Sequence, residues 1–169
     1  GYTIHWLVPG TTPEQFTATC ELSKPITLNP GKARGELVGG NLTLVAALMG
    51  TPYEIETDGK ILFLEDIGEA PYRVDRMLST LRLGGKLDRL AGLVLGQFTY
   101  RSDQDTSIDE GQSVDDVLDS YFADLLIPVI KSFPFGHHRC NATLPIGIPC
   151  ELDADTATLR LLECPVRLR

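Results

Sequence analysis

Three short apolar runs, ILFL at 61–64, AGLVLG at 91–96 and IPVI at 127–130, are separated by two segments with helical periodicity. In the first segment, YRVDRMLSTLRLGG, Val74, Met77, Leu78 and Leu81 recur at i, i+3, i+4 and i+7, and Gly84-Gly85 closes the helix. The second, SVDDVLDSYFADLL, opens with Ser113 and Asp116 at capping-box spacing and puts Val117, Leu118, Tyr121, Phe122 and Leu125 on one face. Strand, helix, strand, helix, strand in succession predicts parallel pairing through right-handed crossovers, because each helix must return the chain to the start of the next strand.

The flanks read differently. FTATCELSKPITL, residues 16–28, alternates apolar and polar residues around Pro25, which suggests a strand pair at a sheet edge. Gly39-Gly40 precedes Asn41, a good N-cap for a short apolar helix from Leu42 to Met49 that Gly50 and Pro52 close. A glycine pair before a helix can cradle an anion or form a tight turn, and the turn is the plainer reading. Near the C-terminus, two alternating segments flank DADT and predict an antiparallel hairpin. The expected fold class is α/β, a mixed sheet with a parallel strand-helix-strand core plus antiparallel hairpins.

A chain of 169 residues, 43% hydrophobic, fits one domain. The opening GYTIHWLVPG, followed by the polar PGTTPEQ stretch, reads as the middle of a longer protein. Residues 1–15 are therefore expected to be an interdomain linker remnant, and residues 16–169 the domain proper. With 23 acidic against 15 basic residues the net charge is -8, which repels phosphate backbones and anionic lipid, so neither nucleic acid nor a membrane surface is an expected partner. No apolar run approaches the roughly 18 residues of a membrane-spanning helix, and the first residues lack the pattern of a signal peptide. The cysteines, Cys20, Cys140, Cys150 and Cys164, form no C-x-x-C pair and are read as reduced thiols.

The run ILFL stops on two acids, Glu65 and Asp66. If the first and third strands are parallel in one sheet, their carboxyl ends share the edge where open α/β sheets place their sites. The third strand runs into SFPFGHHR, whose Pro134 and Gly136 form a loop able to present His137 or His138 at that edge, 72 residues after Glu65 in the case of His137. A carboxylate on one imidazole nitrogen fixes the tautomer, so the other nitrogen can act as general base on a hydroxyl or thiol. The nucleophile is missing: there is no G-x-S-x-G, and Cys140, close to His137, reads more readily as a small buried residue than as a partner of the histidine. Asp66, Glu69, His137 and His138 also make an oxygen and nitrogen donor set suited to zinc or manganese, without an H-E-x-x-H pattern to support it. A solvated glutamate and a structural histidine remain open readings as well.

In order along residues 28 to 152, GKARGELVGGNLTLVAALMGTPYE, GKILFLEDIGEAPYRVDRMLSTLRLGGKLDRLAGLVLGQFT, IPVIKSFPFGHH and NATLPIGIPCEL together resemble the C-terminal domain of the LD-carboxypeptidases. That family includes the muramoyl-tetrapeptide carboxypeptidases and the microcin C immunity peptidases. The resemblance implies a swivelling β/β/α unit and a serine peptidase whose Ser-His-Glu triad is split across two domains, with no cofactor and no metal. The family's L-E-D glutamate falls on Glu65 and its P-x-G-H histidine on His137, leaving Asp66, Glu69 and His138 as neighbours. The N-terminal domain with the serine and oxyanion hole is absent from the chain, which implies a fragment that is inactive by itself. For the complete protein the resemblance implies cytoplasmic release of terminal D-alanine from murein tetrapeptide by a homodimer. Two alternatives stand beside it, a peptidase acting on peptidyl-nucleotides and a non-catalytic module for peptide binding or dimerisation.

Overall fold

The computed structural model describes residues 2–3, 24–99, 112–137 and 141–165. Most of residues 1–15, expected to be a linker remnant, and of the 16–28 segment, together with Cys20, His138 and Cys140, lies outside the described residues. The elements in chain order are β1 (Tyr2–Thr3), β2 (Ile26–Asn29), β3 (Lys32–Asn41), α1 (Leu42–Ala47), β4 (Ile61–Ile67), α2 (Pro71–Leu83), β5 (Gly92–Thr99), α3 (Val114–Phe122), β6 (Val129–Lys131), β7 (Pro149–Asp153) and β8 (Thr158–Leu161). One sheet of eight strands runs β1-β8-β7-β3-β4-β5-β6-β2. Its middle, β3 to β6, is parallel, whereas β2, β7, β8 and β1 each join antiparallel. This is the expected mixed α/β sheet, with the three apolar runs as parallel neighbours.

The apolar runs are unbroken because both faces of these strands are buried. Leu62 and Leu64 of β4 and Leu93 and Leu95 of β5 face a core under the helices, shared with Val74, Leu78, Leu81, Val117 and Phe122. Ile61, Phe63 and Val94 face a second core with Phe133, Phe135, Cys150, Leu152 and Leu161. Each fully buried Leu, Ile or Phe contributes roughly 1.5–3 kcal/mol by leaving water. The second core exists because the sheet curls over itself. Leu152 of β7 comes so close to β5 that a β-carbon on Gly92 would lie 2.8 Å from Leu152 Cδ2.

The longest strand, β3, is one that the periodicity does not announce. Its sequence KARGELVGGN contains three glycines, which weaken a strand. Two of them are required by close approach: a β-carbon on Gly35 would meet the Gly59 carbonyl oxygen at 2.8 Å, and one on Gly39, at φ +139°, would meet that of Phe63 at 1.9 Å. The pair Gly39-Gly40 is thus the end of a strand that delivers Asn41 opposite Glu65, rather than a free turn. Helix α1 is shorter than the expected Leu42–Met49, and α3 ends at Phe122.

Candidate active site

Successive strand residues point to opposite faces, so Glu65 and Asp66 diverge. Glu65 continues the Ile61–Phe63 face toward the loop after β6, and Asp66 continues the Leu62–Leu64 face toward α1. Both carboxylates are buried, at 6% and 4% exposure, and both are satisfied by hydrogen bonds, as buried charges must be.

Glu65 Oε2 lies 2.9 Å from His137 Nδ1 and accepts the His137 backbone N–H at 3.1 Å. Its other oxygen, Oε1, accepts from Asn41 Nδ2 at 3.3 Å. With Nδ1 engaged, Nε2 is the nitrogen left for chemistry, on a side chain that is half exposed. The hydrogen bond to Glu65 and then that carboxylate's charge hold the imidazole above its ordinary pKa, with a smaller contribution from the Asp66 charge. The arrangement can stabilise an imidazolium while keeping one ring nitrogen open to a partner.

The loop bearing His137 is tied at several points. Phe133 N–H donates to the Leu95 carbonyl at 2.9 Å, Gln97 N–H to that of Phe135 at 3.0 Å, and Gly136 N–H to Asn141 Oδ1 at 3.1 Å. Phe135 packs edge-on against Phe63 at 5.5 Å between ring centroids. Gly136 sits at φ +112°, where a β-carbon would fall 2.6 Å from Glu65 Oε2. A cavity of about 280 Å³ opens beside the pair, lined by Gly40, Phe63, Glu65, Phe135, Gly136 and Leu144 among others.

Asp66 makes no hydrogen bond to the imidazole. It accepts from Thr43 N–H at 2.9 Å, Thr43 Oγ1 at 2.8 Å, Asn41 Nδ2 at 2.8 Å and Ile67 N–H at 2.8 Å. A carboxylate at the first turn of α1 is also favoured by the helix dipole. Glu69 reaches Arg73 at 3.6 Å on the surface. Among the described residues no three His, Cys, Asp or Glu side chains gather as a metal site, so the donor set of Asp66, Glu69 and His137 is dispersed rather than convergent. Cys150 is buried in the second core; burial pushes its thiol up to about 11, which keeps it protonated and inert. Sequence reasoning identified Asn41 as a helix cap but did not reach its amide contacts with both acids, nor Asn141 as a support of the histidine loop. The place of Asn41 beside Glu65 follows from the pairing of β3 with β4, which the glycines of β3 mask in the sequence pattern.

Residues 34–152 match the family described as the LD-carboxypeptidase C-terminal domain. Among curated proteins, the chain is 42% identical over 144 residues to a "probable murein peptide carboxypeptidase" of Bacillus subtilis, covering 85% of this chain and 44% of that protein. Among solved structures, it is similar to a muramoyltetrapeptide carboxypeptidase from Oxalobacter formigenes, with a TM-score of 0.67 and 35% identity over 90% of this chain and 54% of that one. It is also similar to the microcin C7 self-immunity protein MccF solved with glutamyl sulfamoyl guanosine, with a TM-score of 0.72 and 25% identity over 85% of this chain and 42% of that one. The chain thus spans about half the length, or less, of the proteins it matches.

Proposed function

Since the chain belongs to the family of LD-carboxypeptidase C-terminal domains, we propose that it supplies the glutamate and histidine of a serine carboxypeptidase acting on murein tetrapeptide. In this reading a serine from the other half of the protein gives its proton to His137 Nε2 as its oxygen attacks the peptide carbonyl. Glu65 stabilises the resulting imidazolium, and Nε2 then returns the proton to the departing D-alanine amine. Water hydrolyses the acyl-enzyme by the same proton relay. The observation that carries the reading is the 2.9 Å contact between Glu65 Oε2 and His137 Nδ1, which leaves Nε2 open at the carboxyl edge of the sheet. The complete protein would work in the cytoplasm as a homodimer, and residues 1–169 alone would release no D-alanine for want of the nucleophile.

The test is D-alanine release by the full-length protein. His137→Ala is expected to remove most activity, and Glu65→Gln to lower turnover by about 10³ to 10⁴-fold, since an amide favours the wrong imidazole tautomer. Asp66→Asn is expected to cost far less than Glu65→Gln, because Asp66 does not touch the ring, and Glu69→Gln to stay close to the parent. Full activity in Glu65→Gln would overturn the assignment. The likeness to MccF favours a second reading, hydrolysis of a peptidyl-nucleotide. Assaying an aminoacyl sulfamoyl nucleoside beside the tetrapeptide separates the two by the ratio of their kcat/KM values.

A further inference from the structure

Among the described residues, Asn41 is the side chain that hydrogen-bonds both acids at the end of β4. Its Oδ1 accepts from Leu44 N–H at 3.2 Å, the N-cap bond of α1, and this fixes which way the amide faces. The NH₂ group must then lie on the acid side, where it has two hydrogens and two acceptors: Asp66 Oδ1 at 2.8 Å and Glu65 Oε1 at 3.3 Å. Reversing the amide would set an oxygen against two carboxylates and leave Leu44 N–H without its cap. Asp66 is itself immobilised by Thr43 and Ile67. The chain of contacts therefore runs from the α1 N-terminus through Asp66 and Asn41 to Glu65, and from there to His137.

We propose that Asn41 is a positioning residue: its amide, anchored on Asp66 and on the α1 backbone, fixes the rotation of the Glu65 carboxylate so that Oε2 is the oxygen presented to His137. The terminal torsion of a glutamate is soft, so a carboxylate held only through Oε2 is free to turn about that contact. Asp66 acts one step further back, by holding the amide that holds Glu65. The catalytic consequence rests on the function proposed above, whereas the geometric claim does not.

The test uses this chain and reads the His137 imidazole by heteronuclear NMR. Asn41→Ser keeps an N-cap oxygen for Leu44 N–H but deletes both amide hydrogens, so it separates capping from positioning. Among the described residues, the charges that raise the His137 pKa are those of Glu65 and Asp66, and both remain in the variant. The expected result is a fall of the His137 titration midpoint toward that of Glu65→Gln, with the melting temperature held near the parent's. Asn41→Thr caps in the same way and serves for the comparison should the serine variant fail to fold. A midpoint equal to the parent's in whichever variant folds overturns the proposal. In the full-length protein Asn41→Ser is expected to lower kcat by about 10-fold with KM unchanged, in the range of other supporting contacts. An active His137→Ala enzyme would sink the catalytic reading while leaving the NMR result to judge Asn41 alone.

Discussion

Gly136 is the residue whose replacement speaks most directly to the site. A β-carbon there would lie 2.6 Å from Glu65 Oε2 and 3.0 Å from Glu65 Cβ, in a backbone conformation at φ +112° that L side chains rarely adopt. Gly136→Ala is therefore expected to displace the oxygen that faces His137. The full-length protein should lose at least about 100-fold in kcat, because small misplacements of a catalytic group have such effects. The loop's own ties, to Leu95, Gln97 and Asn141, do not involve the added methyl, so the loss of folding stability should stay below about 3 kcal/mol. Urea unfolding beside D-alanine assays of the same variant checks both halves. A variant that unfolds outright, or one that keeps full turnover, contradicts the geometry. Glu65 and His137 were legible as a pair because a strand-end acid and a loop histidine follow from topology and motif. Gly136 and Asn41 were not legible in these roles, since close approach and an amide bridging two acids leave no periodic trace.

At the scale of elements, β3, β7 and β8 carry a ladder of charges on one face. Glu151 is bonded by Arg34 from β3, at 2.7 Å, and by Arg160 from β8, while Lys32 pairs with Asp153 at 2.7 Å. Arg34, then Arg160, holds the Glu151 carboxyl below its ordinary range, and Lys32 does the same for Asp153. A depressed folded-state pKa means stability present above the ordinary carboxylate range and lost as pH falls through the lowered values. The urea midpoint is thus expected to decline on acidification below about pH 4.5, and to decline less in Glu151→Gln. Because the ladder is exposed, salt should shrink the difference, and a salt-independent difference would point to another cause. The helices and the three apolar strands were readable because burial on both faces and capping leave strong patterns. By contrast β3 was not, since Gly35 and Gly39 answer to neighbouring backbone rather than to propensity. Most of the 16–28 segment lies outside the described residues, and only its end, β2, is seen, paired with β6.

At the scale of the molecule, the described surface retains large apolar side chains: Leu44, Leu48, Tyr53, Ile67 and Tyr72 are exposed, and Ile146 borders the cavity beside Glu65. Surface of this kind favours association. Sedimentation of residues 1–169 is expected to show reversible self-association at tens of micromolar, roughly the range of weak protein contacts. A monodisperse monomer at the highest soluble concentration would contradict this. The curled sheet carries a different implication. Because Ile61, Leu62, Phe63 and Leu64 are all apolar and both faces of β4 are buried, sliding this strand by one residue would fill either core with acceptable side chains, so hydrophobicity alone cannot tell the two alignments apart. The adjacent acids can. Only one alignment gives Asp66 the α1 donors and Glu65 the histidine loop; the slipped one strands a buried charge on each face. The two carboxylates therefore act as a registration mark for the central strand, and a chain that has aligned it correctly has by that fact assembled the Glu65–His137 pair.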